Sequence, residues 1–348
     1  MDGQHRKRHR HAPESECARL AAAEIRGLCR FALPMKCLIT GICGFVGQYL
    51  AHQLIENGAD VVGVERVPAV RPTTAWPVIE CDILDFPSLL RVVSDFQPDQ
   101  IYHLAGLTRP SESLRIPREY YLVNVQGTVN VLEAIRQAAP DARCLLVSSA
   151  EVYACSTCPG PVQETCRPVP SNPYGASKLL AEMAALAYWR DLGSSVVIAR
   201  PFNHSGPGQS ESFVISDFCR QAVLLENKPE GRRTIQVGNL ESARDFLDVR
   251  DVVAAYIGLA EKGAAGEIYN IASGQAATIQ TILGTVLRLS EVSIQVEVSP
   301  EKYRPATAQP MVGSSKKLHE LLGWKPRYSL EQTIADTMEF WRKKLKGE

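Results

Sequence analysis

The sequence predicts an α/β fold, a Rossmann-like doubly wound parallel sheet with a smaller C-terminal substrate-binding lobe. Three observations predict it. An apolar run, Met35-Lys36-Cys37-Leu38-Ile39-Thr40, leads straight into the glycine turn Gly41-Ile42-Cys43-Gly44-Phe45-Val46-Gly47. From there on, apolar runs alternate with segments of helical periodicity, the pattern of strands joined by crossover helices. An acidic residue, Glu65, closes the next apolar run about twenty residues later, where such a sheet places a partner for a ribose.

Taken in order, residues 1–34 look foreign to the rest: the basic cluster His5-Arg6-Lys7-Arg8-His9-Arg10-His11 is followed by an Ala-rich stretch. They are read as a disordered upstream extension, with a nucleic-acid arm as the alternative. A strand is expected over 36–40, and a helix over 44–57 that Gly58 ends. Further strands are expected over 60–65, 100–104, 143–149 and 195–200, with a helix over 172–192. Beyond Pro201 the regularity loosens into Gly-, Pro- and Asn-rich loops mixed with helices at 249–261 and 330–344. The predicted division is therefore a dinucleotide-binding domain over 35–200 and a substrate-binding lobe over 201–348, some of whose segments return to the first domain.

Composition narrows the function. Lys and Arg balance Asp and Glu at 38 each, so no global field recruits nucleic acid or an anionic membrane. No run of about 18 apolar residues and no signal-peptide pattern occur, which predicts a soluble, cytoplasmic protein. Several of the ten cysteines sit in strand-like runs, so reduced thiols are expected. Cys155 and Cys158 are spaced as half of a zinc site or a redox couple, but no second pair follows, and an ordinary loop without metal is the expectation.

The glycines of the turn permit a tight bend and let the backbone approach a pyrophosphate at the positive end of the helix. Gly41, Cys43, Gly44, Phe45, Val46 and Gly47 are thus candidates to hold a dinucleotide. The Glu65 carboxylate would accept from the ribose diol of NAD, whereas Arg66 beside it would pair with the 2′-phosphate of NADP, so either cofactor stays open. Tyr174 and Lys178, four apart near a helix start, share one face. A free phenol titrates near about 10, and lowering that by about three units takes roughly 4 kcal/mol of differential stabilisation, which Lys178 and the positive nicotinamide ring of an oxidised cofactor are expected to supply. Ser148-Ser149-Ala150-Glu151 ends the preceding strand, where ligands bind in such sheets.

The Gly-x-x-Gly-x-x-Gly spacing followed by Tyr-x-x-x-Lys resembles the extended short-chain dehydrogenases/reductases that act on sugar nucleotides. The resemblance, over roughly residues 35–345, implies that Asp82 and Ile83 contact the adenine and that Leu104-Ala105-Gly106 passes the cofactor. It implies that Asn124-Val125-Gln126-Gly127-Thr128 steadies the sheet, that Ser149 bonds the substrate carbonyl, and that Lys178 anchors a ribose. Glu151 falls where 4,6-dehydratases carry a base, although its neighbour here is Ala150; a hydroxyl acceptor is the equal alternative.

Asn203, in Arg200-Pro201-Phe202-Asn203-His204-Ser205-Gly206-Pro207-Gly208-Gln209, is a candidate donor to the substrate, with His204 read as structural. Arg244 is the candidate diphosphate clamp, by bidentate pairing. Arg250 and Asp251 are expected to begin and cap the next helix. With Tyr303-Arg304-Pro305-Ala306, these segments resemble the GDP-4-keto-6-deoxy-D-mannose reductase family, which forms GDP-D-rhamnose; Arg304 matches its nucleotide-contacting loop. The resemblance implies NAD(P)H-dependent reduction of a C4 ketone on a GDP-linked sugar. It also implies a homodimer through helices over 117–139 and 172–192. A 4,6-dehydratase or 4-epimerase on the same fold, or a non-catalytic cofactor sensor, are the alternatives.

Overall fold

A computed structural model describes residues 34–66, 76–154, 156–229, 231–303 and 311–347. The chain divides into Met1–Pro34 and Met35–Glu348. The extension expected over 1–34 lies, apart from Pro34, outside the described residues.

Met35–Glu348 begins with β1 (Lys36–Thr40), α1 (Phe45–Glu56), β2 (Asp60–Glu65), β3 (Val78–Glu80), α2 (Phe86–Phe96) and β4 (Gln100–His103). Next come α3 (Gly127–Ala138), β5 (Arg143–Val147), α4 (Pro173–Leu192), β6 (Ser195–Pro201), β7 (Asn203–Ser205), α5 (Val214–Glu226), β8 (Thr234–Val237) and β9 (Ala243–Asp248). The remainder is α6 (Val249–Lys262), β10 (Ile268–Ile271), β11 (Ala276–Thr278), α7 (Ile279–Leu289), β12 (Gln295–Val298), α8 (Lys316–Leu322) and α9 (Leu330–Lys346).

Seven strands form one sheet in the order β10-β6-β5-β4-β1-β2-β3, every pairing parallel. Parallel strands need helices on both faces, and β1 accordingly buries alternate residues in opposite directions. Cys37 and Ile39 pack with Leu50, Leu54 and Val252 of α1 and α6, while Leu38 packs with Leu89, Val131 and Ile135 of α2 and α3. The chain reverses direction across the sheet between β1 and β4, and a crevice opens at the carboxyl ends of these two strands. Small sheets β11-β9-β7 and β12-β8 and helices α5, α7 and α9 build a separate apolar cluster around Phe218, Ile282 and Trp341.

Three details differ from the sequence expectations. The helix expected over 117–139 is Pro117–Tyr121, a wide π turn at Leu122–Gln126, then α3. The cap of α6 is Asp248, not Asp251: Asp248 has extended backbone and accepts from Arg250 N at 2.8 Å. Asp251, already helical and buried, instead accepts from the backbone N–H groups of Arg327 and Tyr328. Finally, Cys158 and Cys166 form a disulfide where reduced thiols were expected, because the loop folds back and brings their Cα atoms within 6.1 Å. Cys155 lies outside the described residues. Among the described residues no helix is long and apolar enough to cross a membrane.

Candidate active site

At the switch between β1 and β4, Gly41 adopts a left-handed φ of 74°, and a Cβ there would sit 2.8 Å from Ala105 N. The glycine turn therefore packs directly on the end of β4, as only a residue without a side chain allows. At Gly47 a Cβ would lie 2.5 Å from Gly41 O and 2.6 Å from Ile42 O, so the first turn of α1 is pressed against the strand end. Gly44 is the N-cap of α1; no side chain caps that helix and no acidic residue stands in its first turn. Its leading N–H groups and its positive end suit an anion.

A hydrogen-bonded chain fixes this crevice from below. Ala105 N donates to Thr40 Oγ1 at 3.2 Å, Thr40 Oγ1 meets His103 Nδ1 at 2.7 Å, and His103 Nε2 meets Thr128 Oγ1 at 3.0 Å. Thr128 Oγ1 donates to Asn124 O at 2.7 Å. These directions assign the proton to Nε2 and make Nδ1 an acceptor. Burial holds His103 neutral, its value pushed down to about 3. The π turn aims the Asn124 amide at the next loop, where it accepts from Leu107 N at 2.8 Å and donates to Leu107 O at 3.0 Å.

Above the chain lies a cleft of about 690 Å³. It is lined by Gly41, Gly44, Phe45, Val46, Gly47, Glu65, Arg66, Asp82, Ile83, Leu104, Ala105 and Gly106 on one side, and by Ser149, Glu151, Tyr174, Lys178, Asn203 and Arg244 on the other. Two candidates stand outside the lining. Cys43 uses its N–H on Glu65 Oε2 at 3.2 Å, and the Ala150 methyl packs into an apolar cluster with Val152 and Phe202. Arg304 lies outside the described residues.

The fit to a nicotinamide dinucleotide is tested by the crevice itself. An uncapped helix start, glycines whose Cβ atoms would collide with backbone, and a carboxylate at the end of β2 converge on one side of the cleft. The Glu65 carboxylate also accepts from Arg66 N at 3.2 Å. These residues fit the group.

On the opposite side, α4 starts against the strand end that bears Ser149. Asn172 caps α4 by accepting from Gly175 N at 2.9 Å, and its amide donates to Glu151 Oε2 at 3.0 Å. Ser149 Oγ accepts from Glu151 N at 3.2 Å and shares a hydrogen bond with the Tyr174 hydroxyl. Lys178 is buried and donates to Val147 O at 2.9 Å. The protein's own groups raise the phenol: burial pushes Tyr174 up to about 12, the Ser149 bond opposes the rise, and the Glu151 charge adds to it, so a lowering falls to the cofactor's charge. Burial likewise pushes Lys178 down to about 8. Tyr174 is therefore a protonated phenol at neutral pH, a proton donor held beside a hydroxyl. His204 Nδ1 lies 3.0 Å from Phe202 O, and its ring stacks on Phe45, tying the later loop to the glycine turn.

The model of the GDP-mannose 4,6-dehydratase family matches residues 38–337. The chain belongs to this family. A curated GDP-6-deoxy-D-mannose reductase from Pseudomonas aeruginosa is 33% identical over 91% of this chain and 100% of its own. A structure of RMD from Pseudomonas aeruginosa complexed with NADPH aligns with a TM-score of 0.77 at 32% identity, covering 89% of this chain and 99% of that one. The Thermus thermophilus UDP-glucose 4-epimerase complex with NAD aligns with a TM-score of 0.78 at 25% identity over 88% and 99%. The GDP-mannose 4,6-dehydratase family member described here is thus an extended short-chain dehydrogenase/reductase.

Sequence reasoning missed several supports of this family member's site. Asn172 was read as the start of a helix, and its second bond, to Glu151, depends on a residue 21 positions earlier. Asp245, beside Arg244, is buried and accepts from Ser273 N, Ser273 Oγ, Gly274 N and Gly313 N. It ties the Arg244 strand to two loops, and only the Arg-Asp pairing in the sequence hinted at it.

Proposed function

We propose that this chain reduces the C4 keto group of GDP-4-keto-6-deoxy-D-mannose to GDP-D-rhamnose at the expense of NADPH or NADH. The observation that carries the reading is the Tyr174 hydroxyl, protonated and hydrogen-bonded to Ser149 inside the cleft. The Pseudomonas aeruginosa reductase, similar over its whole length, supports it.

With its pyrophosphate held at the turn of Gly41, Gly44 and Gly47 and its nicotinamide ribose by Lys178, a bound reduced dinucleotide would supply a hydride to the ketone carbon. Tyr174 gives its proton to the carbonyl oxygen, and the Ser149 hydroxyl stabilises the charge that develops there. The Lys178 ammonium, one helical turn after Tyr174, would favour the phenolate that remains until solvent re-protonates it. Arg244, placed in the lining by β9, holds the diphosphate; Asn203 and Arg304 complete the sugar-nucleotide side. Glu65 and Arg66 meet the adenosine ribose, with Asp82 and Ile83 at the base.

The chain acts as a cytoplasmic homodimer, a reading supported by exposed Tyr121, Leu122, Leu180 and Met183 along the paired helices. A dinucleotide-binding part over 35–200 and a substrate lobe beyond it divide the labour. A 4,6-dehydratase is the second reading, favoured by the Asn172 amide that orients the Glu151 carboxylate. The deciding experiment is a panel of nucleotide-linked keto sugars followed at the absorbance of the reduced cofactor. Stoichiometric oxidation with GDP-4-keto-6-deoxy-D-mannose supports the reductase; conversion of GDP-mannose to a keto sugar without net oxidation overturns it.

A further inference from the structure

We propose that Glu182, with its partner Arg200, is a positioning residue for the active site, acting on Ser149 through Ser148 and on Lys178 through its charge. The proposal rests on the reading of Ser149 and Lys178 as part of the reacting site.

Glu182 follows Lys178 by four residues on α4, so the two side chains share a face one turn apart. Its carboxylate is 1% exposed, and the Arg200 guanidinium at the end of β6 is 3% exposed. Arg200 meets the carboxylate with a fork: Nε donates to Glu182 Oε1 at 2.9 Å and Nη2 to Oε2. Ser148 Oγ donates to the same Oε1. Arg200 also donates to the Tyr153 hydroxyl and lies 4.7 Å from that ring's centre, and Tyr153 donates to Asn270 Oδ1 at 3.1 Å. The carboxylate thus holds the residue before Ser149, while the guanidinium holds the turn after it.

A charged pair is not what stability alone selects here. Two ions lose their hydration on burial, and an apolar pair of similar volume commonly stabilises a core as well or better. The charge acquires a purpose from what stands next to it. The groups facing the Lys178 ammonium are Val147 O from β5, Gly106 from the end of β4, the neutral His103 beneath, and Glu182 from its own helix. Burial disfavours the ammonium, and Glu182 is the carboxylate that opposes that loss. Ser148, bonded to Glu182, directly follows the Val147 carbonyl that Lys178 touches, so one carboxylate sets both the position and the protonation of this corner.

The test is NMR titration of protein labelled with 13Cε-lysine, the Lys178 signal being assigned by its loss in Lys178→Met. Glu182→Gln keeps the shape and removes the charge; the Lys178 midpoint is expected to fall by about one unit or more. The alkaline limb of kcat/KM is expected to move down with it, and Glu182→Asp, which keeps the charge, to restore much of both. Because Glu182→Gln strands a buried guanidinium, the paired change Glu182→Gln with Arg200→Gln provides a variant without an orphaned ion, and a smaller fall in the same direction is expected, since a repelling cation leaves with the anion. A folded variant of either kind whose Lys178 midpoint is unmoved, or has risen, overturns the proposal. The NMR midpoint answers even if no nucleotide sugar is turned over, so failure of this inference is distinguishable from failure of the proposed reaction.

Discussion

Two alanine substitutions in the glycine turn and the first turn of its helix are expected to fail in different ways. At Gly47 a Cβ would lie 2.5 Å from Gly41 O, 2.6 Å from Ile42 O and 2.8 Å from Ile42 C, all backbone atoms that cannot swing aside. Alanine favours a helix over glycine by about 1 kcal/mol, but overpacking of this kind costs about 1–3 kcal/mol or more. The net expectation for Gly47→Ala is a loss of up to about 2 kcal/mol, with weaker cofactor binding as a consequence. At Gly44 the backbone is ordinary, φ −67° and ψ 165°, and the nearest atom to a Cβ is Gly41 O at 3.1 Å. Gly44→Ala is expected to cost less than about 1 kcal/mol, the poorer N-cap included. Its methyl projects into the space over the helix start, so NADPH and NADH are expected to bind about tenfold or more weakly, a loss of about 1.4 kcal/mol. Urea unfolding followed by circular dichroism and quenching titrations with reduced cofactor separate the two effects. A Gly47→Ala protein as stable as the parent, or a Gly44→Ala protein less stable than Gly47→Ala, refutes the reasoning from backbone proximity.

Tyr174→Phe is expected to lower turnover by about 10²–10⁴ while leaving cofactor affinity nearly intact, measured as initial rates beside fluorescence titration; unchanged turnover excludes the mechanism. Arg244→Ala is expected to raise KM for the nucleotide sugar by about tenfold to a hundredfold with little change in kcat, as loss of a charge-assisted clamp predicts. A fall confined to kcat would place Arg244 elsewhere in the reaction. His103 has a folded-state value pushed from 6.5 down to about 3, so the unfolded chain binds its proton first. Its contribution to stability is complete above pH 6.5 and is lost as pH falls toward 3, by about 1.4 kcal/mol per pH unit. Urea midpoints compared between the parent and His103→Gln across that window should converge on acidification; parallel curves would contradict the assignment.

What the sequence disclosed was governed by local rules. The glycine turn was legible because a left-handed φ at Gly41 and a close backbone approach at Gly47 each demand a missing side chain. The Tyr174–Lys178 relation was legible because helical spacing alone puts the pair on one face. The cap of α6 was misread because two acids stand near its start, and the choice rests on which has extended backbone; that residue is Asp248. The π turn at Leu122–Gln126 has no compositional mark. The Cys158–Cys166 pairing and the grip of Asn172 on Glu151 depend on the path of the loop between β5 and α4, which periodicity does not constrain. A Tyr174 pushed up rather than down reflects burial, a quantity set by tertiary packing.

The sheet is completed late. Strand β6 ends at Pro201, but the neighbour that covers its outer edge, β10, begins only at Ile268. On a ribosome adding about 5–20 residues per second, the edge of β6 waits several seconds for its partner. During that interval the unpaired N–H and C=O groups of Ser195–Pro201, flanked by apolar Val196, Val197 and Ile198, form a ready template for another chain. The nascent protein is therefore most vulnerable between the synthesis of its cofactor crevice and that of the last strand of its seven-stranded sheet. A fragment cut at residue 200 would carry the glycine turn, Tyr174 and Lys178 and still be an aggregating species.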